Sequence, residues 1–540
     1  MLDSKLLSNL KRIKFKQIGP ISILLLLLVC FLFPCAINAA DGPVVSTVAG
    51  KVKGYVNADH GILTFKGIHY GESTAGVWRF RPPRSVTSWE GNKDVVAFGP
   101  TCPQGSGGEP GQNAANTTRP QGPPQNEDCL VLNVFTTGLE GKRPVMVWLH
   151  GGGFASGSGT SYDGTRLSKR GDVVVVTINH RLNVFGYLHL SDLGGDYFSG
   201  SGMAGMLDIE LALKWVRDNI SAFGGDPNNV TIFGESGGGM KVSMLMAMPS
   251  SKGLFHKGII ESGPGIRGVP KEEGTETAKN LMTKLNINDA RKLQEIPAED
   301  LLRAISSPSE GPRGSGMRFS PVVDGKFLPV HPFDPVAAPT AAGIPIIIGT
   351  NKDEALYFLR SDPKRDSFTE KDLIDRLKPM LGEKLNDVLA AYKASRPNAS
   401  PFDLLVAIQS ESFRLGSITL AERQLASSGA PVYMYLFDFE INQQSKAAHA
   451  VELSFVFNAA TARGVSQRPE TAQVETDMVE AWIAFARTGN PNYPGAPHWP
   501  AYTMENRATM VFDAVSRAVN DPRLQERLAW EGIDRSRIRR

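Results

Sequence analysis

The sequence is poor in cysteine, in net charge and in long apolar runs, and each shortage excludes a class of protein. Its 540 residues include only four cysteines, too few for a scaffold held mainly by disulfides. The formal charge is +3, and because residues 1–40 carry a net +4, the remaining chain is close to neutral at about −1. A neutral body offers no electrostatic footprint for nucleic acid, so we expect no nucleic-acid partner.

The rest of the composition is that of a globular protein. Apolar residues make up 41% and charged residues 21% of the chain, without a long run of one charge. A chain of this length and composition buries a large hydrophobic core. Histidine and cysteine are not clustered with the spacing of zinc ligands. The sequence therefore predicts a folded domain without a zinc site.

The N-terminus has the order of an export signal. A basic stretch leads into an apolar run at residues 21–33, and small residues follow at Ala36, Ala39 and Ala40. This order predicts a signal peptide over residues 1–40, cleaved after residue 39 or 40. We expect a secreted or periplasmic protein without stable membrane association once the leader is removed. The alternative is an uncleaved leader that anchors the chain, although the apolar run is short for a bilayer span.

Two cysteines remain after the leader is removed. Cys30 and Cys35 belong to the leader, whereas Cys102 and Cys129 lie in the exported part. An exported protein with two cysteines most simply forms one disulfide, and this one would close a polar loop at residues 103–127. Two free buried thiols are the alternative.

The order of strands and helices indicates the fold class. Residues 144–149 and 172–178 are short, apolar and rich in β-branched side chains, as in strands buried on both faces of a parallel sheet. Residues 203–223 have helical spacing, and residues 229–233 form another strand. Strands that alternate with helices predict an α/β fold, here one large domain over residues 41–540 with helical insertions.

One segment, G-E-S-G-G at residues 234–238, is especially informative about chemistry. It follows the strand at residues 229–233 directly and precedes a predicted helix. Small neighbours of the serine avoid collision with the adjacent strand and helix, so that the hydroxyl group of Ser236 stands clear of the sheet. The amides of the following helix favour negative charge at the same place. The pattern predicts a nucleophile at Ser236; the alternative is a glycine-rich turn without a catalytic role.

A second motif, H-G-G-G at residues 150–153, also follows a buried strand. Consecutive glycines let backbone N–H groups approach a substrate oxygen, as in the oxyanion loop that precedes the nucleophile in chain order. A flexible glycine turn is the alternative interpretation. Because the serine motif lies downstream, we predict an oxyanion loop.

The general base should follow the acid, and both should follow the nucleophile. Four histidines come after Ser236: His256, His331, His449 and His498. His449 lies among small residues before an apolar stretch. For the acid, the strand near residue 348 is followed by Asp353 and Glu354, and spacing alone does not choose between them.

With these motifs in order, the sequence resembles the type B carboxylesterase family, which includes the cholinesterases. The resemblance covers nearly the whole chain from about residue 45. Besides the serine and glycine motifs, the matching segments are F-K-G-I at 65–68, E-D-C-L-V-L-N at 127–133, N-H-R at 179–181, F-G-G-D-P at 223–227, N-K-D-E at 351–354, the region of His449, and T-G-N-P at 488–491.

The resemblance implies an α/β-hydrolase fold, with a central, mostly parallel sheet flanked by helices, and a role for each site residue. It assigns Ser236 as the nucleophile, His449 as the general base and acid, and Glu354 as the triad carboxylate. It assigns the amide donors of the oxyanion hole to Gly152, Gly153 and Gly237. It also pairs Cys102 with Cys129.

Two departures from the family pattern stand out. Glycine replaces the alanine that usually follows the nucleophile, at Gly237; the amide remains and the turn gains flexibility, so we expect function to be kept. The second disulfide of animal members has no cysteines here, which suggests a microbial member.

Taken together, these features predict a carboxylesterase that acts on a small-molecule ester without metal or organic cofactor. Residues 103–128 contain no Trp, Tyr or Phe, so the loop has no aromatic face for a choline cation, and we expect no specialisation for choline esters. The alternatives are an inactive adhesion or binding protein of the same fold, an amidase or transacylase, and a lipase. The sequence leaves the natural ester and the oligomeric state open.

Overall fold

The computed structural model describes residues 42–105, 123–306 and 317–533. Its described residues from Pro43 onward belong to one compact unit. The predicted signal peptide, residues 1–40, lies outside the described residues. Among the helices that are described, none combines the length and apolarity needed to cross a membrane.

The strands of the described residues are listed here in chain order. They are β1 (Val44–Ser46), β2 (Lys51–Lys53), β3 (Tyr55–Asn57), β4 (Ile62–His69), β5 (Asn92–Asp94), β6 (Val131–Thr136), β7 (Arg143–Leu149), β8 (Val174–Ile178), β9 (Gly225–Glu235), β10 (Lys257–Glu261), β11 (Val269–Pro270), β12 (Val322–Val323), β13 (Ile346–Asn351), β14 (Val432–Phe437), β15 (Ala508–Phe512) and β16 (Arg517–Asn520).

The α-helices of the same residues range from single turns to a helix of 28 residues. They are α1 (Thr165–Gly171), α2 (Asn183–Tyr187), α3 (Ser191–Gly194), α4 (Ala204–Asn219), α5 (Gly237–Ala247), α6 (Lys271–Lys284), α7 (Ala298–Ser306), α8 (Leu356–Leu359), α9 (Glu370–Leu381), α10 (Leu385–Ser395), α11 (Pro401–Ser428), α12 (Leu453–Val456), α13 (Ala460–Arg463), α14 (Thr471–Thr488) and α15 (Leu524–Ala529).

Eleven strands form one large sheet in the order β16-β15-β14-β13-β10-β9-β7-β8-β6-β4-β3. Neighbours from β15 to β8 pair in parallel, whereas the strands at both edges pair antiparallel. Helices connect successive parallel strands, as right-handed crossovers require. The predicted α/β architecture, a mostly parallel sheet flanked by helices with helical insertions, is confirmed.

Strand β7 shows why the apolar segments do not alternate. Val145 and Val147 face one hydrophobic cluster, which also contains residues of α4 and α5. Met146 and Trp148 face a second cluster, which contains residues of α14. Both faces of the strand are covered, so apolar side chains are favoured at every position. A third cluster lies within the helical insertion of α9, α10 and α11.

The parallel strands bring three loops to one edge of the sheet. Strands β7, β9 and β13 end at Leu149, Glu235 and Asn351. Because the carboxyl ends of parallel strands meet at the same edge, the segments that follow them lie together, which is where open α/β sheets form their ligand sites.

Candidate active site

Ser236 occupies the tight turn between β9 and α5. Its backbone has φ 56° and ψ −119°, a conformation that is costly for a residue with a side chain and that persists only where the surroundings enforce it. Its N–H donates to the carbonyl of Glu261 at 2.8 Å, and its own carbonyl accepts from the N–H of Met240 at 3.1 Å. The neighbouring strand and the following helix thus hold the strained turn.

The glycines around Ser236 are required by close packing. A Cβ atom at Gly238 would lie 2.0 Å from the carbonyl oxygen of Leu149, and one at Gly234 would lie 2.6 Å from the same oxygen. Real Cβ atoms do not approach so closely, so strand β7 leaves no room for a side chain at either position. This is the collision that the sequence pattern predicts.

His449 lies in the loop that follows β14, and its imidazole meets Glu354. The Nδ1 atom of His449 is 2.5 Å from Oε2 of Glu354, and both side chains are buried. The other carboxylate oxygen of Glu354 accepts from the backbone N–H of Asn351 at 2.8 Å. The acid is therefore fixed by the last residue of β13 and is aimed at the histidine.

The structure separates the two acidic candidates that spacing left open. Asp353 accepts from the backbone N–H of Ala447 at 3.2 Å and lies 4.0 Å from the ammonium group of Lys352. Burial raises the pKa of Asp353. It thus ties the two loops together, while Glu354 is the carboxylate that contacts His449.

The other three histidine candidates serve elsewhere. His256 accepts from the backbone N–H of Val230 through Nδ1 at 3.1 Å. His331 contacts the guanidinium group of Arg267, and His498 is exposed. None of these contacts includes a residue of the serine or glycine motif.

A second carboxylate, which sequence reasoning missed, faces the other nitrogen of His449. The Nε2 atom lies 3.0 Å from Oε1 of Glu235, and Glu235 directly precedes Ser236 in the chain. The imidazole is therefore placed between Glu354 and the strand end that carries Ser236. The rings of Phe358 and Phe413 surround it, each with its centroid 5.2 Å from that of the imidazole.

The glycine loop after β7 packs against the first turn of α5. Gly152 and Gly153 have φ values of +83° and +63°, which glycine adopts at little cost. A Cβ at Gly237 would lie 2.1 Å from the carbonyl oxygen of Gly153. The glycine that replaces the usual alanine is thus matched to a loop that lies against it, a packing reason that the sequence does not reveal.

A cavity opens beside this loop. Its volume is about 590 Å³, and its lining includes Gly153, Phe154, Asn183, Met240 and Ile305. The mixture of apolar side chains with a few polar groups is typical of a site for a small organic molecule.

Two more glutamates are buried near the pair of Glu354 and His449. Burial raises the pKa of Glu261 to about 8, although Glu261 accepts from the indole N–H of Trp482. Burial also raises the pKa of Glu452, and the neighbouring carboxylates of Glu354 and Glu261 raise it further. The carboxyl edge of the sheet therefore holds protonated as well as ionised carboxyl groups at neutral pH.

The predicted disulfide is present between Cys102 and Cys129. It lies close to the glycine loop, because Gln104 exchanges two hydrogen bonds with the backbone of Gly157: one donated by its amide at 3.1 Å and one accepted at 2.9 Å. The disulfide thus anchors a segment that supports the far end of this loop.

The sequence matches the carboxylesterase family over residues 41–530. The chain belongs to this family. The para-nitrobenzyl esterase of Bacillus subtilis (strain 168) is 40% identical over 500 residues, which make up 90% of this chain and 97% of that protein. Liver carboxylesterase 1F of Rattus norvegicus is 33% identical over 509 residues, with 86% and 89% covered.

Solved structures agree with this assignment. A carboxylesterase of Geobacillus stearothermophilus, determined at pH 6.2, matches with a TM-score of 0.78 at 40% identity and covers 90% of this chain and all of its own. The predicted family and the α/β-hydrolase fold are therefore confirmed. As a member of the carboxylesterase family, the protein is an enzyme that hydrolyses carboxylic esters.

Proposed function

We propose that this carboxylesterase acts through a catalytic triad of Ser236, Glu354 and His449. The observation that carries the proposal is the placement of the imidazole. Glu354 holds Nδ1 of His449, and Nε2 faces the strand end from which the strained turn projects Ser236. A carboxylate at Nδ1 fixes the tautomer in which Nε2 accepts a proton, and it stabilises the imidazolium that forms.

The reaction proceeds in two steps of acyl transfer. Nε2 of His449 takes the hydroxyl proton as Oγ of Ser236 attacks the ester carbonyl carbon, and the carbonyl electron pair moves to oxygen. The imidazolium then gives its proton to the departing alkoxide, the C–O bond breaks, and an acyl-enzyme remains. Water, deprotonated by the same imidazole, attacks the acyl carbon and releases the acid and Ser236.

The negative oxygen of each tetrahedral intermediate is assigned to three amides. We place the donors at Gly152, Gly153 and Gly237. The contact between Gly153 and Gly237 brings the loop and the helix terminus together, and the N-terminus of α5 adds a favourable dipole. A single donor of this kind contributes about 3–4 kcal/mol to lowering the barrier.

Small neutral esters are the proposed substrates. The cavity beside Gly153 is lined mainly by apolar side chains, and the relative from Bacillus subtilis is a para-nitrobenzyl esterase. Because residues 103–128 lack aromatic side chains, we expect a choline ester to be hydrolysed no faster than a neutral ester with the same acyl group. Faster hydrolysis of butyrylcholine than of a matched neutral butyrate would contradict this.

The proposal is tested with p-nitrophenyl acetate and butyrate. The chain without residues 1–40 should hydrolyse both esters, and Ser236→Ala should lower kcat by several orders of magnitude because it removes the nucleophile. Ser168→Ala is the matched control, since Ser168 is a buried serine on α1 that donates to the carbonyl of Val173. It should keep wild-type activity.

Two results would overturn the triad. Activity of Ser236→Ala equal to that of folded wild type would show that the serine takes no part. A folded wild type without activity on any ester would favour an inactive binding protein. Comparison of rates below and above micelle formation by the substrate separates an esterase from a lipase, and a matched anilide tests for amidase activity.

We also propose that residues 1–40 direct export to the periplasm or the medium. The support is the order of basic, apolar and small residues, together with a disulfide of the kind that persists in oxidising compartments. Sequencing of the N-terminus of the protein recovered from each fraction should give a start at residue 40 or 41. Recovery of the full-length chain in the membrane fraction would favour an anchor.

A further inference from the structure

A lysine is buried one turn into the helix that follows Ser236. Lys241 lies on α5 and its side chain has no solvent exposure. The surrounding positions of this helix carry glycine, methionine, valine, serine, leucine and alanine. A charge that is removed from water is costly unless the surroundings stabilise it, so a buried ammonium group in such a helix calls for a physical explanation.

The contacts of Lys241 lead to the glycine loop. Its ammonium group donates to the backbone carbonyl of His150 at 2.8 Å, and it lies 5.6 Å from the centroid of the Phe154 ring. His150 immediately precedes the three glycines and Phe154 immediately follows them. A single cation therefore contacts both ends of the loop, by a charge-assisted hydrogen bond at one end and a cation–π contact at the other.

The neighbouring imidazoles add no positive charge of their own. His150 and His180 are buried and stacked, with ring centroids 4.7 Å apart. Burial lowers the pKa of each ring well below its usual value, and the positive charge of Lys241 lowers both further. Both rings are therefore neutral at neutral pH, and Lys241 supplies a positive charge behind the loop.

The first turn of α5 completes the arrangement. Gly237 packs against the backbone of Gly153, and Gly238 against that of Leu149. Lys241 lies four residues beyond Gly237, about one helical turn. The same helix thus bears on the loop through its glycines and, one turn later, through an ammonium group.

We propose that Lys241 is a positioning residue for the oxyanion hole, which keeps the loop of Gly152 and Gly153 in place and adds positive potential behind the developing oxyanion. The inference rests on the proposed function, since it concerns the amides assigned to that hole. Lys241 acts through the loop and does not touch the substrate.

The expected signature is a loss of kcat at nearly constant KM. An oxyanion forms only during the reaction, so an interaction that favours it affects the transition state more than the bound ester. Removal of a direct oxyanion donor lowers kcat by about 10²–10³-fold. Because Lys241 acts indirectly, we expect Lys241→Met to lower kcat by about 10–100-fold and to change KM by less than about twofold.

The experiment compares two buried lysines. Lys257 begins β10, at the opposite edge of the sheet, and donates to the side chain of Asn229; burial lowers its pKa to about 8. Lys257→Met therefore removes a buried ammonium group without touching the glycine loop. Each variant is assayed with p-nitrophenyl butyrate, and kcat is divided by the number of active sites counted from the p-nitrophenol burst, so that a loss of folded protein does not enter the result.

A second readout reports the oxyanion directly. A trifluoromethyl ketone adds to the nucleophile and forms a tetrahedral oxyanion, whereas binding of p-nitrophenyl butyrate to the Ser236→Ala background measures the uncharged ester. Lys241→Met should weaken ketone binding by the same factor as kcat and leave ester binding unchanged. Lys257→Met should change neither quantity.

The outcomes distinguish this inference from the function on which it rests. If Ser236→Ala is inactive while Lys241→Met matches Lys257→Met in kcat per site and in ketone binding, the positioning role is wrong and the triad stands. If Ser236→Ala retains full activity, the proposed function itself fails.

Other variants keep the test decisive if Lys241→Met does not fold. Lys241→Gln removes the charge and retains a hydrogen-bond donor, so it should show the same split at smaller amplitude. Phe154→Leu removes the ring beside the ammonium group and should weaken ketone binding relative to ester binding by about threefold. Equal binding ratios in these variants and wild type would overturn the inference.

Discussion

The two edges of the parallel sheet treat ionisable groups differently. At the amino edge, Lys257 donates to Asn229 at the start of β10, away from the serine and glycine motifs. At the carboxyl edge, a strained serine, a buried histidine and several buried glutamates lie within contact of one another. Strand geometry is the same at both edges, so the difference lies in the loops: those at the carboxyl edge concentrate costly groups where they can act together, which is typical of active sites.

The sharpest way to break this comparison is to alter the acid of the proposed triad. Glu354→Gln should lower kcat by about 10⁴-fold, because an amide N–H in place of a carboxylate oxygen favours the wrong tautomer of His449. Steady-state kinetics with p-nitrophenyl butyrate measure the loss.

Asp353→Asn is the matched control for that variant. Asp353 comes from the same loop and accepts from the N–H of Ala447, an interaction that asparagine can keep. Its kcat should stay within about tenfold of wild type, the loss expected of a supporting contact. A larger loss in Asp353→Asn than in Glu354→Gln would contradict the assignment of the acid.

A smaller effect is expected where the glycine loop meets α5. Gly237→Ala retains the amide but introduces a Cβ 2.1 Å from the carbonyl oxygen of Gly153, so the loop must shift. We expect kcat to fall by about 10–100-fold, below the loss from complete removal of an oxyanion donor. Kinetics of the folded variant measure this, with its urea unfolding curve recorded alongside. Unchanged kcat would mean that the loop adjusts without moving the donors.

The smallest effect concerns stability and its dependence on pH. Glu261 has a pKa raised from 4.5 to about 8, so between these values the folded protein holds a proton that the unfolded chain has released. Its contribution to the free energy of unfolding therefore falls as pH rises from about 4.5 to 8, by at most about 1.4 kcal/mol per pH unit.

Glu261→Gln removes that proton equilibrium and keeps an oxygen that accepts from Trp482. The free energy of unfolding of the variant, relative to wild type, should rise steadily over this pH range. Urea unfolding at several pH values measures the difference. A difference that does not change with pH would show that Glu261 titrates normally.

The sequence predicts the fold and the proposed triad because both rest on local patterns. Unalternated apolar strands indicate a sheet covered on both faces, and the serine motif places its residue at a strand end. The choice between Asp353 and Glu354 needs more, since both follow β13 and only the hydrogen bonds separate them. The family resemblance favours Glu354, and the contact with His449 agrees.

Other contacts depend on packing between distant segments. Glu235 meets His449 across more than 200 residues of chain, and the raised pKa of Glu261 depends on burial beside Trp482 of α14. No local pattern predicts such pairs. For Lys241 a signal exists, a single charged residue within an apolar helix, but its partners at both ends of the glycine loop become visible only in the fold.

The central claim is that the strained serine at the end of β9 forms the covalent intermediate. The most direct measurement is mass spectrometry of peptides from the wild-type protein after inactivation by a p-nitrophenyl alkylphosphonate, which phosphonylates an activated serine and releases p-nitrophenol. We predict one phosphonyl group per molecule, on Ser236, and loss of esterase activity in proportion to its formation. A label on another residue, or full labelling without loss of activity, would contradict the account.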